Sequence, residues 1–495
     1  MYAPFSEWTP DQAVLGQTGA SVALNVVPHE ARSYAPFSGL TTITDALSAR
    51  CQGAYAVRQS SGVVRIFAGD ATKLYQIIGA AWEDVSGATY TTDAQAIWAF
   101  AAFGDRVLAT NYSDAIQSYL MGTSTDFADL SVDAPKARYI WTVKDFVMVG
   151  DTVDGTDGQR QNRVWWSAIA DPTSWPTPGS AAAEAVQSDF NDLPYGGQVV
   201  GGVGGFNGCD GAIFCRDAIY RIAYSGTGTV FDFLDAERGR GCAVPGSIIE
   251  FGDGVFFIAE DGIKVFNGAN SISIGDGKVD HWFWNNVNQD HLSRINAGYD
   301  ARNKLIYLAF PSTESTGTPD MMLVWNIRLN RFSVAEENVE YLLRAYSLGY
   351  TLEELDAFGT METLPYSLDS TNWMGGRPGP AGFGDDHKLG FFSGSTKAAT
   401  VETGEVHDTS GRRAFVSRAR PICDLSAGTL STQIGYRDSQ GGTVSYTTAT
   451  TQGLDGTCPH RIDARYMRAR VSVSAGATWT HLQGVEIDAR QTGRR

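Results

Sequence analysis

Nowhere in the 495 residues does an uninterrupted apolar run approach the roughly 20 residues that a membrane helix needs, so no membrane-spanning segment is expected. The start, MYAPFSEWTPDQAVL, has neither the basic n-region nor the apolar h-region of a secretory signal. A Cys-x-x-Cys pair is missing too. The six cysteines (51, 209, 215, 242, 423 and 458) are scattered, which argues against a zinc ribbon or a disulfide scaffold and predicts small buried thiols. Together these absences read as a soluble protein made in a reducing cytoplasm. No H-E-x-x-H, G-x-S-x-G or G-x-x-x-x-G-K-[ST] string occurs, so the short signatures of zinc hydrolysis, serine hydrolysis and nucleotide binding are absent. The seven histidines (29, 281, 291, 387, 407, 460 and 481) show no ligand spacing, and His281 in VDHWFWNN reads as a packed core histidine. No catalytic residue, cofactor or metal is implied.

Core material is plentiful. With 43% hydrophobic and 11% aromatic residues the chain is not disordered, and 55 glycines supply turns between short strands. The length suits two or three domains or one large closed all-β architecture. The net charge of −17 is unevenly spread. From Gly411 onward there are twelve arginines, no lysines and six acids, a net of +6, which leaves −23 for residues 1–410. An acidic body repels nucleic acid at long range, whereas the basic end suits phosphate or, as the reading adopted, an acidic protein partner.

One theme recurs along the chain. A Gly-Asp, Lys-Asp or Asp-Gly turn leads into an apolar strand, a second polar turn and another strand. It appears in SGVVRIFAGDATKLYQII (Ser61–Ile78), FGDRVLATNYSDAIQSY (Phe103–Tyr119) and VKDFVMVGDT (Val143–Thr152). It returns at Gly211–Tyr224, Phe251–Gly268 and Tyr299–Phe310, with a degenerate copy at Asp385–Val406. The first copies lie roughly forty residues apart, the size of a four-stranded propeller blade. The expected fold is all-β: an irregular β-propeller of about six to seven blades with a C-terminal β-sandwich domain. An array of ordinary β-sandwiches is the competing architecture. The expected division is a segment 1–54 that packs on or closes the propeller, the propeller with inserted loops at 55–406, and a basic docking domain at 407–495.

Candidate chemistry is thin. The run GGQVVGGVGGFNG (Gly196–Gly208) misses the dinucleotide spacing and reads as a strand of small residues where sheets crowd together. Asp151, Asp154 and Asp157 lie three apart, but the closing acid of a calcium loop is missing, which favours a solvated hairpin tip. SLDSTNW (Ser367–Trp373) looks like an imperfect Asp-box turn. TLEELDAFGT (Thr351–Thr360) is capped for one or two helical turns, and WMGGRPGPAGFGDDH (Trp373–His387) reads as a surface loop.

Several strings, taken in order, resemble the tail nozzle or tail hub (tubular) proteins of short-tailed bacteriophages. They are EWTPDQAVLGQTGASVALNVVPHEARSYAPFSGL (Glu7–Leu40), RVWWSAIADPTSW, GCDGAIFCRDAIYRIAY, RGCAVPGSIIEFGDGVFFIAEDGIKVFNG, IGDGKVDHWFW and GYDARNKLIYLAFPS. The resemblance spans about three quarters of the chain, without the long inserted domains of larger nozzle proteins. It implies a β-propeller subunit of the virion, assembled in the host cytoplasm as a homo-oligomeric ring, usually a hexamer, below the portal and its adaptor. Viral DNA would slide through an acidic bore without sequence-specific binding, and tail fibres, spikes or a needle are further candidate partners. Arg412, Arg413, Arg418, Arg420, Arg465, Arg468 and Arg470 are then expected to face an acidic neighbour.

Trp165 and Trp166, adjacent on one strand, point to opposite faces. One is expected to plug a core between blades and the other to meet a neighbouring blade or subunit, with Asp171 and Pro172 turning Trp175 back over the same patch. The rival reading is a carbohydrate-binding or glycoside-cleaving propeller, in which these tryptophans form a sugar platform.

Overall fold

The computed structural model describes residues 2–13, 19–60, 62–93, 95–227, 229–346, 378–407 and 412–493. Strand and turn dominate, and helix is confined to Ala181–Val186, Asp280–Asn286 and two 3-10 turns among these residues. The chain is all-β and divided into many small sheets. The candidate helix at Thr351–Thr360, the SLDSTNW turn and residues 373–377 lie outside the described residues, and the rest of the expected surface loop Trp373–His387 is instead largely a strand, Pro378–Gly384, whose last four residues are buried.

Seven antiparallel meanders of four strands follow one another. Sheet 1 runs from Gly53–Arg58 to Ala81–Asp84, sheet 2 from Ala99–Phe103 to Ala128–Asp129, and sheet 3 from Lys136–Val143 to Asp189–Asp192. Sheet 4 runs from Val199–Val203 to Thr229–Arg238, sheet 5 from Ile249–Glu250 to Ser271–Ser273, and sheet 6 from Asn296–Asp300 to Arg331–Glu336. Sheet 7 takes three strands from Val339–Tyr346, Pro378–Gly384 and Lys388–Phe391, and its fourth, Thr41–Ala46, from the N-terminal region. The recurrent Gly-Asp and Lys-Asp pairs are two-residue loops, Gly104-Asp105 and Lys144-Asp145. Their first residues have φ of 58° and 49°, the sign that the right-handed twist of paired strands asks of such short connections.

Strands within a sheet alternate between two neighbours, so each pair of consecutive sheets shares an apolar core. Phe67, Val107 and Tyr119 fill the space between sheets 1 and 2, and Leu108, Ile140 and Val147 that between 2 and 3. Phe214 and Phe257 join 4 to 5, Tyr307 and Leu342 join 6 to 7, and Ile66 and Phe383 join 7 back to 1. The first strands of sheets 5, 6, 7, 1, 2, 3 and 4 lie side by side in that succession, that of sheet 7 against that of sheet 1. A Cβ at Gly202 would overlap the indole of Trp141 on the neighbouring first strand, so the glycine run serves close approach, as expected for crowded sheets.

The outer edge of sheet 6 continues through a parallel bridge, Leu24 to Val334, into strands Ala20–Leu24, Ala399–Thr403, Tyr466–Val473 and Leu430–Arg437. A second sheet combines Val26–His29, Ser33–Pro36 and Tyr2–Pro4 with the C-terminal strands Leu482–Gln491, Ala414–Cys423 and Cys458–Ala464. Val416, Ala419 and Val485 of this sheet share one core with Leu430, Ile434 and Val471 of the other. The described strands of the first 54 residues therefore serve two places: those between Tyr2 and Pro36 join the two sheets that hold the C-terminal strands, and Thr41–Ala46 completes sheet 7. Ala399–Thr403 pairs with the C-terminal strands although it precedes residue 407.

Deleting residues 1–46 strips strands from three sheets and uncovers the edge of Lys388–Phe391. The expected outcome is aggregated or non-cooperatively unfolding protein, checked by size-exclusion chromatography and thermal melting against the full chain.

Candidate functional site

All three singled-out tryptophans are buried. Trp165 faces the core between sheets 2 and 3 and Trp166 that between sheets 3 and 4, as adjacent residues on one strand must. The Trp166 ring meets Phe231 edge-on at 5.3 Å, and its Nε1 donates to the Gln187 carbonyl at 2.9 Å. Asp171 accepts from the Thr173 amide at 2.9 Å, fixing a turn that lays Trp175 in the same core as Trp165, with Nε1 donating to the Pro172 carbonyl at 2.8 Å. Their faces are covered by other side chains of the same chain, which leaves no platform for a ligand.

The aspartates of the Asp151–Asn162 hairpin meet arginines. Arg163, 3% exposed, reaches Asp192 at 2.6 and 2.9 Å in a bidentate pair, Asp157 at 2.7 Å and Asp154 at 3.1 Å, and lies over the Phe190 ring at 3.7 Å. Hydrogen bonding to Arg163 holds the Asp192 carboxyl below its ordinary range. Asp151 is buried against Arg138 at 2.8 Å and Gln198 at 2.8 Å. The tip, residues 155–161, is exposed, while at its base Arg163 draws Asp154 and Asp157 together and Arg138 takes Asp151.

The C-terminal arginines fall into two groups. Arg468 and Arg470 converge on buried Glu402 at 2.7 and 2.6 Å, with Tyr446 donating to the same carboxylate at 3.0 Å. Arg413 pairs with Asp438 at 2.8 Å and Asp463 at 3.5 Å. The acids these three meet belong to their own chain. Arg418 and Arg420 are exposed on the Ala414–Cys423 strand and face Asp488 and Glu486 across the ladder at 3.1 and 3.8 Å. Arg412 is exposed, and Arg465 is half-buried in the turn before Tyr466–Val473. Sequence reading missed Glu402, Glu405 and Arg437, the last two paired at 2.8 Å. The acids of VETGEV are visible in the sequence, but their partners lie 32 to 68 positions away.

A cavity of ≈ 220 Å³ lies where segments leading into sheets 1, 2, 5, 6 and 7 converge, lined by Arg50, Gln52, Trp98, Arg294, Asn296 and Glu340 among others. Glu340 is the one acid among its described lining residues. Burial pushes this carboxyl up, while it accepts from the Cys51 amide at 3.0 Å and meets His387 Nδ1 at 2.7 Å. A glycosidase places two carboxyl groups across the scissile bond, about 5 to 9.5 Å apart; this cavity offers one.

His281, expected in the core, is exposed, and its amide donates to Asp11 at 2.8 Å. The buried acid of that motif is Asp280, which accepts from the Ile263 amide at 2.9 Å and lies against Gly262 and Gly275. Burial raises its carboxyl to about 6. All six cysteines are free, four of them buried. No helix among the described residues is long and apolar enough to cross a membrane.

No protein-family model matches the chain, and no curated protein matches it. Among solved structures, it is similar to a functionally unknown protein from Desulfotomaculum acetoxidans DSM 771 at 12% identity and a TM-score of 0.34, covering 63% of this chain and 98% of that one. A likeness of that degree decides neither fold nor function.

Replacing Arg163 with alanine strands three aspartates without their shared cation. Urea unfolding is expected to show a loss of about 3 kcal/mol, with Arg163→Lys recovering only part because it cannot form the bidentate pair. Asp280 gives a pH signature. Its folded value lies above the ordinary 3.8, so the native state holds the extra proton between about pH 4 and about pH 6, and its contribution to stability rises as pH falls through that window. Asp280→Asn is expected to flatten the gain in urea midpoint between pH 7 and pH 5 relative to wild type.

Proposed function

We propose that the chain is a structural subunit of the tail nozzle of a short-tailed bacteriophage, acting without catalysis in a ring below the portal and adaptor. On this reading the seven meanders are the blades of a β-propeller, closed by Thr41–Ala46, and the paired sheets of N- and C-terminal strands form a β-sandwich that docks on a neighbour. Support comes from the ordered strings that resemble the nozzle proteins and from the net charge of −17, which repels phosphate.

The observation that carries the choice between readings is the burial of Trp165, Trp166 and Trp175. A sugar-binding propeller needs exposed aromatic faces, and here the tryptophans are spent on inter-sheet cores. The cavity where the sheets converge cannot pass a duplex whose major groove alone is about 12 Å wide. DNA would therefore run between copies, through a bore framed by a closed ring of heterologous contacts. Arg412, Arg418 and Arg420 are the exposed arginines suited to an acidic neighbour such as the adaptor.

Native mass spectrometry and negative-stain imaging test this. Purified subunits are expected to stay partly monomeric and to form complete rings of six when the adaptor is supplied, with no retention on immobilised glycans. A persistent monomer that binds glycan would sink the proposal.

A further inference from the structure

Seven histidines with no ligand spacing in the sequence conceal, among the described residues, one spatial cluster. His29 and Glu30 end the strand Val26–His29 at the tip of the N-terminal hairpin, and His481 immediately precedes the C-terminal strand Leu482–Gln491. One imidazole nitrogen from each histidine and a carboxylate oxygen of Glu30 lie within 4.8 Å of one another. The two rings meet edge-on at 4.7 Å.

The backbone beneath these side chains is held from several directions. Buried Arg331 donates to the Glu30 carbonyl at 2.6 Å, buried Asn326 to the Pro28 carbonyl at 2.9 Å, and Ser33 Oγ to the His29 carbonyl at 2.5 Å. Glu30 itself sits at φ 51°, in the left-handed region, at the turn of the hairpin. Across the gap, the His481 amide donates to Asp424 at 2.7 Å, and the His481 Nδ1 lies 3.5 Å from Ser33 Oγ. A second hydrogen-bonding group on one ring nitrogen is what orients a ligating histidine, leaving Nε2 for the ion.

We infer that His29, Glu30 and His481 form a site for a divalent transition ion, with Zn²⁺ the ion that two imidazoles and one carboxylate fit. Ligand bonds of about 2.0–2.2 Å put tetrahedral donor atoms ~3.3 Å apart, so modest torsions of the exposed His29 and Glu30 side chains close the site, and water takes the fourth position. Calcium and magnesium prefer all-oxygen sets and are poor competitors. The consequence is mechanical. The hairpin joins the C-terminal strand through the single register pair Tyr34 to Leu482, and the ion clasps the two chain regions beside that short ladder.

The test uses the full chain, stripped with EDTA and titrated with Zn²⁺ by calorimetry at pH 7, with Mg²⁺ as control. The inference expects one Zn²⁺ per chain, a raised unfolding temperature, and slowed amide exchange across Val26–Pro36. His29→Ala and His481→Ala should each weaken binding at least about tenfold, and Glu30→Gln less. Cobalt substitution separates this site from the thiols: His/carboxylate ligation gives weak visible bands without intense thiolate-to-metal absorption. Absence of binding at micromolar protein, unchanged stoichiometry in the His29→Ala/His481→Ala double variant, or thiolate charge-transfer bands would each overturn the inference.

Discussion

Every other feature of this chain depends on consecutive meanders covering each other's apolar faces. A sheet that is apolar on both faces has to bury both of them; here its two faces are closed by the sheets before and after it in the sequence. Ile66 of sheet 1 and Phe383 of sheet 7 share a core, and a strand from near the N-terminus fills the last edge of sheet 7. Chain order is thereby converted into spatial order, and the strand that completes the set is the one furthest in sequence from its partners.

That constraint explains why residues with a functional look turn out to be structural. The bulky aromatics sit where two sheets must be kept about 10 Å apart, and Trp165 and Trp166 serve two different gaps from adjacent positions. Arg163 answers a related problem. A long hairpin carrying Asp154 and Asp157, beside Asp192 on the next strand, concentrates negative charge at one edge of sheet 3, and a single guanidinium stacked on Phe190 binds all three carboxylates, with Arg160 a further cation beside Asp157.

Local patterns made the hairpins, the crowded glycine strand and the opposite-facing tryptophans legible, because each is decided by neighbours within a few residues. The repeat of Gly-Asp and Lys-Asp loops gave the unit size, although only the structure reveals that the seventh sheet borrows Thr41–Ala46. What stayed hidden was everything set by distant pairing. Glu402 meets arginines 66 and 68 positions later, Asn326 and Arg331 hold the N-terminal hairpin from about 300 positions away, and His29 meets His481 across nearly the whole chain. Composition counted the C-terminal arginines correctly but could not say which acids they face.

The distribution of charge follows from those pairings. The arginine-rich end is less basic than a cut at residue 411 makes it, since Glu402 and Glu405, just upstream, are buried against Arg468, Arg470 and Arg437. Buried ion pairs of this kind add little net stability over apolar packing, but they fix register, because a slipped strand would strand a charge without its partner. Strands from both ends of the chain meet in these two sheets, and register is the property most at risk when pairing partners are hundreds of residues apart. Those cations are engaged inside their own chain, so the count of arginines overstates how much positive charge this end offers a neighbour.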